Sequence, residues 1–417
     1  MKTWIGLGSN QGDRRGNLEA AGRELQLLSK EKIRASPIYT TPALIPEGGP
    51  EAWRIPFLNA VIEMDWRGSA MDLLVQLKMI EAKLGRIQSE RWAPRVIDLD
   101  ILLFGDQTLA ETRGEHHLKV PHSGLLERSF VLDPLKDLLP RFFQKARLVP
   151  GHSPLWMAIL NFTPDSFSDG GELASDLDFS VRLSKLDDAQ ILDVGAESTR
   201  PGATPLDAKE EWLRLKPALE KIRSHYENRV FRPLVSVDTR HAEVARRALE
   251  AGVNWINDVS GLADDAMIDV LKSNSCDYVL MHSLSVPADP KISLPDSVDP
   301  VAEVKLWARQ QLEKLEQSGI ALERIIFDPG IGFGKTAQQS ISLLKRIDEF
   351  MDLPVRLLVG HSRKGFLKTW TRAEAPDRDP ETLGVSLRLA ERGVDILRVH
   401  AANETMRAFQ AYMETRR

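Results

Sequence analysis

The chain has 417 residues, of which 42% are hydrophobic and 28% are charged, and its 55 basic and 60 acidic side chains leave a formal charge of −5 at pH 7. This composition excludes a disordered chain, and the acidic balance argues against a nucleic-acid partner while allowing a local basic pocket for phosphates. The single cysteine, Cys276, excludes an intrachain disulfide and a thiolate zinc site. The sequence has no apolar core of a signal peptide at its N-terminus and no run of about 18 apolar residues. These features predict a cytoplasmic protein with no membrane partner.

Length and loop-forming residues predict two domains. Single domains usually contain about 100–200 residues. Residues 148–154 place two prolines and a glycine between two regions of regular hydrophobic spacing. We therefore predict a first domain over residues 1–147, a linker over 148–154 and a second domain over 155–417.

Residues 1–147 alternate apolar strands with stretches of helical spacing. The predicted strands are Thr3–Ser9, Lys32–Thr40, Phe57–Asp65 and Ile97–Phe104, and the predicted helices are Asn17–Leu28, Ser69–Leu84 and Arg128–Leu139. The order β-α-β-β-α-β, followed by an extra helix, predicts a ferredoxin-like α+β sandwich.

Eight short apolar runs, separated by long helical stretches, follow the linker. They are Trp156–Asn161, Ile191–Val194, Leu234–Asp238, Trp255–Asp258, Tyr278–His282, Ile325–Asp328, Arg356–Val359 and Ile396–His400. Strand-helix alternation over this length predicts an α/β fold, the (β/α)8 TIM barrel. Because chemistry in this fold lies at the carboxyl ends of the strands, we expect a site from the polar residues that stand there.

Two acids near several arginines predict a phosphate-handling site in the first domain. Asp98 and Asp100 alternate along a strand and so share one face. Mg²⁺, bound through carboxylates and substrate phosphates, would relieve their repulsion, and the guanidinium groups of Arg86 and Arg95 suit the remaining phosphate oxygens. This set is typical of phosphoryl transfer. An exposed strand face with solvated arginines is the alternative interpretation.

The segment Arg91–Gly105 resembles the signature of 6-hydroxymethyl-7,8-dihydropterin pyrophosphokinase. Five further segments fit this family in the same order, namely Gly8-Ser9-Asn10, Thr41-Pro42, Phe57-Leu58-Asn59, Val120-Pro121-His122 and Arg128-Ser129-Phe130. The family transfers pyrophosphate from ATP to the hydroxymethyl oxygen of the pterin and uses two Mg²⁺ ions. The resemblance covers residues 1–145.

This resemblance implies a role for each matching residue. Asp98 and Asp100 would hold the metal ions, and Arg86 and Arg95 would bind ATP and act on its phosphates. ATP would also be contacted by His122 and Arg128. The pterin slot would be lined by Thr41, Pro42, Phe57, Asn59 and Phe130.

Two positions depart from the pyrophosphokinase pattern. Gln88 stands where a second basic residue is expected, and Ala93 stands where a glycine is usual. The first change would weaken the hold on phosphate or share it among other residues. An active synthase joined to a degenerate kinase is therefore one alternative, and a pterin-binding scaffold with two inactive sites is another.

The strand ends of the second domain favour an anion next to a nitrogen-rich ring. Asn161, Arg398 and His400 would form an anion cradle if the barrel is correct, since Arg398 and His400 alternate on one strand. Carboxylate and amide oxygens suit a heterocycle with several N–H donors. These oxygens would come from Asp238, Asn257 and Asp328, with Lys364 pairing with a ligand carbonyl or an acid.

The same loops resemble dihydropteroate synthase over residues 155–405. The matching segments, in order, are Ile159–Gly171, Glu197–Ala203, Ser236–Thr239, Ile256–Asp258, Asp328–Lys335, Ser362–Lys364 and Arg398–His400. This family displaces pyrophosphate from the pterin with the amine of p-aminobenzoate, which gives 7,8-dihydropteroate. Ala196 and the stretch Ser283–Asp296 depart from the pattern.

The synthase resemblance implies a second set of roles. Asn161 would bind Mg²⁺, and Arg398 and His400 would hold the leaving pyrophosphate. The pterin would be read by Asp238, Asn257, Asp328 and Lys364, with Lys364 and Arg398 acting as catalytic groups. The p-aminobenzoate and the phosphate side would be approached by Thr199, Arg200 and Ser362.

The two resemblances support each other because the product of the first reaction is the substrate of the second. We therefore expect a bifunctional folate-biosynthesis enzyme. Its partners would be ATP, the hydroxymethyl-dihydropterin and its pyrophosphate, and p-aminobenzoate. Barrels of this kind often pair through their outer helices, so a homodimer is an option, although no decisive apolar stripe marks one.

Overall fold

A computed structural model describes residues 1–87, 90, 92–162, 176–198 and 204–415, without the side chains of 176–178. The chain divides into two compact units. The first unit contains Met1–Ser153, the short segment Asn228–Arg232 and the chain from Gln410, and the second contains Pro154–Glu227 and Pro233–Phe409. No helix in the described ranges is long and apolar enough to cross a membrane.

The first unit is built from seven strands and four α-helices in its described N-terminal part. In chain order they are β1 Lys2–Ser9, α1 Arg14–Leu28, β2 Arg34–Ala35, β3 Tyr39–Thr41, β4 Phe57–Asp65, α2 Ala70–Lys83, β5 Asp98–Phe104, β6 Leu109–Arg113, β7 His116–Val120, α3 Ser129–Leu138 and α4 Phe143–Leu148.

The main sheet has the order β2-β4-β1-β5, and β3 also pairs with β4. All of these pairs are antiparallel, so the sheet has the predicted ferredoxin-like arrangement. The strand predicted over Lys32–Thr40 is instead two short strands. Pro37 lies between them, and a proline has no N–H with which to continue the ladder.

Helices cover both faces of this sheet. Leu99 and Ile101 of β5 pack into the core beneath α1 and α2. Leu102 packs with Leu135 of α3 in a second cluster on the opposite face. Because side chains alternate along a strand, Asp98 and Asp100 point away from the first core, as the sequence predicts.

Two elements of the first unit are absent from the sequence-based prediction. The hairpin of β6 and β7 turns at Gly114, whose φ of 62° favours glycine. In its first strand, Leu109–Arg113, four of the five residues are exposed and the only large apolar side chain is the partly buried Leu109. Hydrophobic alternation therefore gives no signal there. The short helix α4 is too brief for a helical period to show.

The second unit contains a closed barrel of eight parallel strands, which confirms the predicted TIM-barrel fold. The strands are β8 Leu155–Asn161, β9 Ile191–Gly195, β10 Leu234–Asp238, β11 Trp255–Asp258, β12 Asp277–Met281, β13 Ile325–Asp328, β14 Arg356–Gly360 and β15 Ile396–Val399. Neighbours in the barrel are neighbours in sequence, and β15 closes on β8.

Helices alternate with these strands. They are α5 Asp176–Lys185, α6 Ala208–His225, α7 Ala242–Glu250, α8 Ala266–Ser273, α9 Pro300–Gln317, α10 Ala337–Lys345, α11 Asp379–Glu391 and α12 Ala402–Thr415. Side chains fix where several of them begin. Thr336 and Gln339 form a reciprocal capping box at the start of α10, and Asp207 caps α6.

Candidate active sites

A cavity of about 340 Å³ lies in the first unit against the sheet. It gathers every residue that the pyrophosphokinase resemblance assigned a role. These lining residues are Thr41, Pro42, Phe57, Asn59, Arg86, Arg95, Asp98, Asp100, His122, Arg128 and Phe130. Of the other residues noted there in the sequence, Gln88 and Arg91 lie outside the described residues.

Asp98 is the centre of the charged wall of this cavity. Its Oδ1 accepts a hydrogen bond from Arg86 Nη1 at 2.5 Å, and its Oδ2 accepts one from Arg95 Nη1 at 2.5 Å. Burial would raise the pKa of Asp98, but the two guanidinium groups outweigh burial and lower it. Burial and the nearby Asp98 raise the pKa of Asp100. The two acids therefore compete for positive charge, as expected of a pair that shares a cation.

Glu81, an acid that contacts Arg86, was not predicted as a site residue. Glu81 Oε1 accepts hydrogen bonds from Leu99 N at 2.8 Å and Lys78 Nζ at 2.9 Å, and it lies 2.5 Å from Arg86 Nη1. Lys78 also lines the cavity. Both residues lie three positions apart on α2, so a search for charged pairs on the predicted helix next to the arginine run would have found them.

His122 and Arg128 occupy the same cavity from the chain that follows β7. The His122 backbone N–H donates to Leu102 O at 3.0 Å, and its Nδ1 accepts from Gly124 N at 3.1 Å. These bonds hold the imidazole at the edge of β5. The Arg128 guanidinium carbon lies 5.7 Å from the centre of the Phe130 ring, a cation–π contact that places both side chains at one wall.

The predicted pterin slot is the opposite, less charged part of the cavity. Asn59 Nδ2 donates to Thr41 Oγ1 at 2.7 Å, and both residues are buried. A Cβ at Gly8 would lie 3.0 Å from Asn59 Oδ1 and 3.5 Å from the Phe57 ring, so a larger residue there would press on the Asn59 amide. The amide oxygen of Asn59 is thereby positioned as an acceptor beside an aromatic ring. That combination suits a flat ligand with N–H donors.

The acid pair also fits a metal ion. Asp98 and Asp100 share a sheet face in a cavity that is open to a phosphate-bearing ligand. Two carboxylates with the remaining positions left to substrate oxygens and water are the donor set that Mg²⁺ takes in phosphoryl-transfer sites.

In the second unit, Arg398 of β15 lies at the centre of the rim of the barrel. Its Nε donates to Asp193 Oδ2 at 2.6 Å, and its Nη2 donates to Asp238 Oδ2 at 2.8 Å. Asn257 Nδ2 donates to the same Asp193 oxygen at 3.1 Å. Asp193 lies within the predicted strand Ile191–Val194, and no site role was predicted for it, because an acid near a strand end does not by itself reveal its partners.

Asp328 and Lys364 complete this cluster from β13 and the loop after β14. Asp328 Oδ1 accepts from Gly330 N at 2.7 Å, and Lys364 Nζ donates to Ile331 O at 2.5 Å. A Cβ at Gly360 would lie 3.6 Å from Asp328 Oδ2 and 3.8 Å from Arg398 Cδ. Asp328 and Arg398 thus lie on either side of Gly360 in β14.

Burial shifts the pKa values of three groups in this cluster toward neutral pH. It raises the pKa of Asp238 to about 7, with Arg398 opposing the shift and Asp193 adding to it. Burial lowers the pKa of Lys364 to about 8, although Asp328 pulls in the other direction. The pKa of Asp328 is also raised by burial. Groups that titrate near pH 7 are typical of ligand-binding and catalytic sites.

His400 and Asn161 take different partners from Arg398. His400 Nδ1 lies 2.9 Å from Ser362 Oγ, which ties the end of β15 to the loop after β14. Asn161 ends β8, and its Oδ1 would lie 3.6 Å from a Cβ at Gly195, which would in turn lie 3.3 Å from Asp238 Cβ. The predicted cradle of Asn161, Arg398 and His400 therefore has its members on neighbouring parts of the rim. Thr199 and Arg200 lie outside the described residues.

A second buried lysine, Lys335, joins two loops at the rim of the barrel. It was not predicted as a site residue. Its Nζ lies 2.8 Å from His282 Nδ1 and donates to the carbonyls of Gly330 and Phe333 at 3.0 Å each. Burial lowers the pKa of Lys335 to about 7. In the stretch after His282 that departs from the family pattern, Leu294 N donates to Gly334 O at 3.0 Å.

Family comparisons agree with the division into two sites. The family described as 7,8-dihydro-6-hydroxymethylpterin-pyrophosphokinase matches residues 4–140, and the family described as pterin binding enzyme matches residues 157–400. The chain is 34% identical to the folate synthesis bifunctional protein of Chlamydia muridarum over 99% of this chain and 98% of that protein. It is 35% identical to the mitochondrial folate synthesis bifunctional protein of Pisum sativum, over 97% of this chain and 87% of that one.

Solved structures resemble the barrel. Dihydropteroate synthase from Anaplasma phagocytophilum, with bound 6-hydroxymethylpterin-monophosphate, aligns with a TM-score of 0.57 and 32% identity over 64% of this chain and 100% of that chain. The Xanthomonas albilineans synthase with 4-aminobenzoic acid aligns with a TM-score of 0.56 and 33% identity over 63% of this chain and 93% of that chain.

Proposed function

Because the chain belongs to the family of bifunctional folate-synthesis proteins, we propose that its two sites act in succession on one pterin. The chain is a two-step enzyme of folate synthesis. Its N-terminal part is a 6-hydroxymethyl-7,8-dihydropterin pyrophosphokinase, and its barrel is a dihydropteroate synthase. We place the first domain at residues 1–147, the linker at 148–154 and the second domain at 155–417.

In the first step, the hydroxymethyl oxygen of the pterin loses its proton and bonds to the β-phosphorus of ATP. The bond from that phosphorus to the bridging oxygen of the α-phosphate breaks, and AMP leaves with the bonding electrons. Asn59 and Phe57 hold the pterin ring at one end of the cavity. Arg86 and Arg95, assisted by His122 and Arg128, hold the phosphates at the other. Mg²⁺ on Asp98 and Asp100 would neutralise phosphate charge when bound.

In the second step, the amine nitrogen of p-aminobenzoate bonds to the methylene carbon of the pterin, pyrophosphate leaves with the bonding electrons, and the amine loses a proton. The oxygens of Asp238, Asn257 and Asp328 accept from the pterin N–H groups. Arg398 and His400 hold the leaving anion, and Lys364 pairs with a pterin carbonyl. Groups arranged for the departing charge stabilise the transition state more than the ground state.

The remaining roles follow the family pattern. Asn161 would bind Mg²⁺ on the pyrophosphate side, where its carbonyl oxygen suits a hard cation. The p-aminobenzoate would be approached by Thr199, Arg200 and Ser362. We also propose that the enzyme is cytoplasmic, in keeping with its one buried cysteine, and that it pairs through outer barrel helices.

One observation carries this proposal: each family-assigned residue of the first domain lines a single cavity, and the acids and cations of the second meet around Arg398. A degenerate kinase or an inactive scaffold would have lost members of these clusters. The direct test supplies the purified chain with ATP, Mg²⁺, 6-hydroxymethyl-7,8-dihydropterin and p-aminobenzoate. We expect dihydropteroate, AMP and pyrophosphate in equal amounts.

Two further reactions separate the alternatives. With the pterin pyrophosphate supplied directly, the chain should form dihydropteroate without ATP. If product appears only in this second reaction, the kinase is degenerate. If neither reaction gives product from a folded chain, the scaffold interpretation is correct and the proposed enzyme is wrong.

A further inference from the structure

Asp193 is a buried acid that serves two proposed site residues through one oxygen. The residue lies on β9 and is 0% exposed. Its Oδ2 accepts from Arg398 Nε at 2.6 Å and from Asn257 Nδ2 at 3.1 Å. Within the described part of the chain, its Oδ1 has no hydrogen-bond partner. All the hydrogen bonding of this carboxylate is therefore directed to two residues that face the ligand.

Stability is a poor explanation for an acid in this position. Moving a carboxylate out of water costs several kcal/mol, and a buried ion pair often recovers little more than that cost. Arg398 already has a second acid, Asp238, on its Nη2. A barrel interior filled with apolar side chains would serve the fold as well. The position of Asp193 is therefore better explained by what it does to its two partners.

The first effect of Asp193 is on the plane of the Arg398 guanidinium. Asp193 engages Nε, and Asp238 engages Nη2, so two different acids fix the group along one edge. A planar guanidinium held at two nitrogens has one orientation. The orientation of the remaining nitrogen, Nη1, is thereby fixed as well, and in the proposed function this nitrogen donates to the anion.

The second effect is on the amide of Asn257. An ionised carboxylate only accepts hydrogen bonds, so the group that faces Asp193 has to be the Asn257 NH₂. The amide oxygen is consequently turned away from Asp193. Asn257 thus presents an acceptor, as do the carboxylates of Asp238 and Asp328. Without the charge on Asp193, the amide has no such constraint and its two orientations become comparable.

We propose that Asp193 is a positioning residue that aligns Arg398 for the leaving pyrophosphate and fixes the Asn257 carbonyl as an acceptor for a pterin N–H. This inference rests on the proposed roles of Arg398 and Asn257. It assigns to one acid the coupling between the pterin end and the anion end of the site. Asp193 itself contacts neither ligand.

The test uses Asp193→Asn, which keeps the shape of the side chain and removes its charge. Synthase kcat/KM should fall by about 30-fold or more, comparable with the loss of one aligned donor in an active site. Asp395→Asn is the matched control, because Asp395 is also a buried barrel acid, 1% exposed, whose Oδ2 accepts from Leu357 N at 2.7 Å beside the start of β15. The control should change synthase kcat/KM by less than about threefold.

A positioning role also predicts coupling that a structural role does not. Synthase kinetics without ATP should show that Asp193→Asn raises the KM for supplied pterin pyrophosphate about tenfold in the natural chain but less than twofold in an Asn257→Ala background. Inhibition of the synthase reaction by inorganic pyrophosphate should likewise be weakened by Asp193→Asn in the natural chain and unchanged by it in an Arg398→Met background. Circular dichroism of each variant reports whether the barrel is folded, and the kinase rate reports the state of the first unit.

Each outcome decides a different point. Additive effects in both backgrounds, or equal losses in Asp193→Asn and Asp395→Asn, would overturn the positioning role while the proposed function stands. If Asn257→Ala binds the pterin normally and Arg398→Met binds pyrophosphate normally, their proposed roles are wrong and the inference falls with them.

Discussion

The two sites use the same kind of ion pair in opposite proportions. In the first unit, one carboxylate, Asp98, accepts from two guanidinium groups, Arg86 and Arg95. In the barrel, one guanidinium, Arg398, donates to two carboxylates, Asp193 and Asp238. Cations therefore outnumber anions in the ion-pair cluster of the first unit, and anions outnumber cations in that of the barrel.

This difference follows from what each site has to bind. ATP brings several negative charges, so a site for it needs surplus cations, and these lower the pKa of Asp98. A pterin ring brings neutral N–H donors, so a site for it needs surplus acceptors. Burial, with the neighbouring acids adding to it, raises the pKa of Asp238 to about 7. A formal charge of −5 for the whole chain conceals both arrangements.

Removing the acid of the cationic site should have the largest effect. Asp98→Ala deletes one proposed metal ligand and leaves Arg86 and Arg95 without their shared partner. We expect pyrophosphoryl transfer from ATP to fall by at least about 1000-fold, as for other groups that stabilise transferring phosphate. AMP release from ATP measures this activity.

The comparison requires that the barrel is unaffected by this change. Dihydropteroate formation from supplied pterin pyrophosphate should stay within about twofold of the natural rate. Glu111→Ala, at an exposed position on β6, is the control for the first unit and should keep both activities. Loss of both activities in a folded Asp98→Ala chain would contradict two independent sites.

Removing the cation of the anionic site should have the next largest effect. Arg398→Ala leaves Asp193 and Asp238 without a counter-charge and removes the proposed contact with pyrophosphate. We expect a loss of about 2–4 kcal/mol in transition-state stabilisation, or about 30- to 1000-fold in synthase kcat/KM. Kinase activity in the same preparation is the internal control. A loss below threefold would remove Arg398 from the site.

The opposite surpluses also predict different pH dependence. With a pKa of about 7, Asp238 becomes a charged carboxylate that only accepts hydrogen bonds as pH rises through 7. With a pKa of about 8, Lys364 stops being a cation as pH rises through 8. Pterin affinity of the synthase should therefore rise from pH 6 to 7 and fall above 8. The synthase KM for supplied pterin pyrophosphate, measured without ATP across pH 6–9, reports this affinity. Lys364→Met should lose the fall at high pH, and a flat profile in the natural chain would contradict both charge states.

Parts of both sites were predictable because they depend on local spacing. Asp98 and Asp100 are two residues apart, so strand alternation alone places them on one face. Asp238 and Asp328 each end an apolar run, so the parallel barrel brings them to one rim. The fold class follows from the same kind of short-range pattern.

The charge pairing could not be predicted because it joins distant residues. Asp193 and Arg398 are 205 positions apart, and Asp193 and Asn257 are 64 apart. No local period records such a pair, and a strand-end acid has many possible neighbours until the barrel closes. Glu81 is a different case, since its partner Arg86 is near in sequence, but the helix ends between them.

The smallest expected effect concerns how far the excess of buried acids lowers the stability of the barrel. Glu211 of α6 is fully buried, and its Oε2 accepts from Thr239 Oγ1 at 2.9 Å. Burial, together with Glu197 and Asp238, raises its pKa to about 8. The folded chain then holds the Glu211 proton more tightly than the unfolded chain, so stability falls as pH rises from about 4.5 to 8. Glu211→Gln removes this loss.

Thermal unfolding followed by circular dichroism tests this cost. At pH 9 we expect Glu211→Gln to unfold about 2–6 °C above the natural chain, corresponding to about 1–2 kcal/mol, and at pH 5 the two should agree within about 2 °C. Glu243→Gln, on the exposed side of the adjacent α7, should give no gain at pH 9. A gain of equal size at both pH values would mean that packing rather than charge distinguishes the variant, and the surplus of acids would then carry no cost in stability.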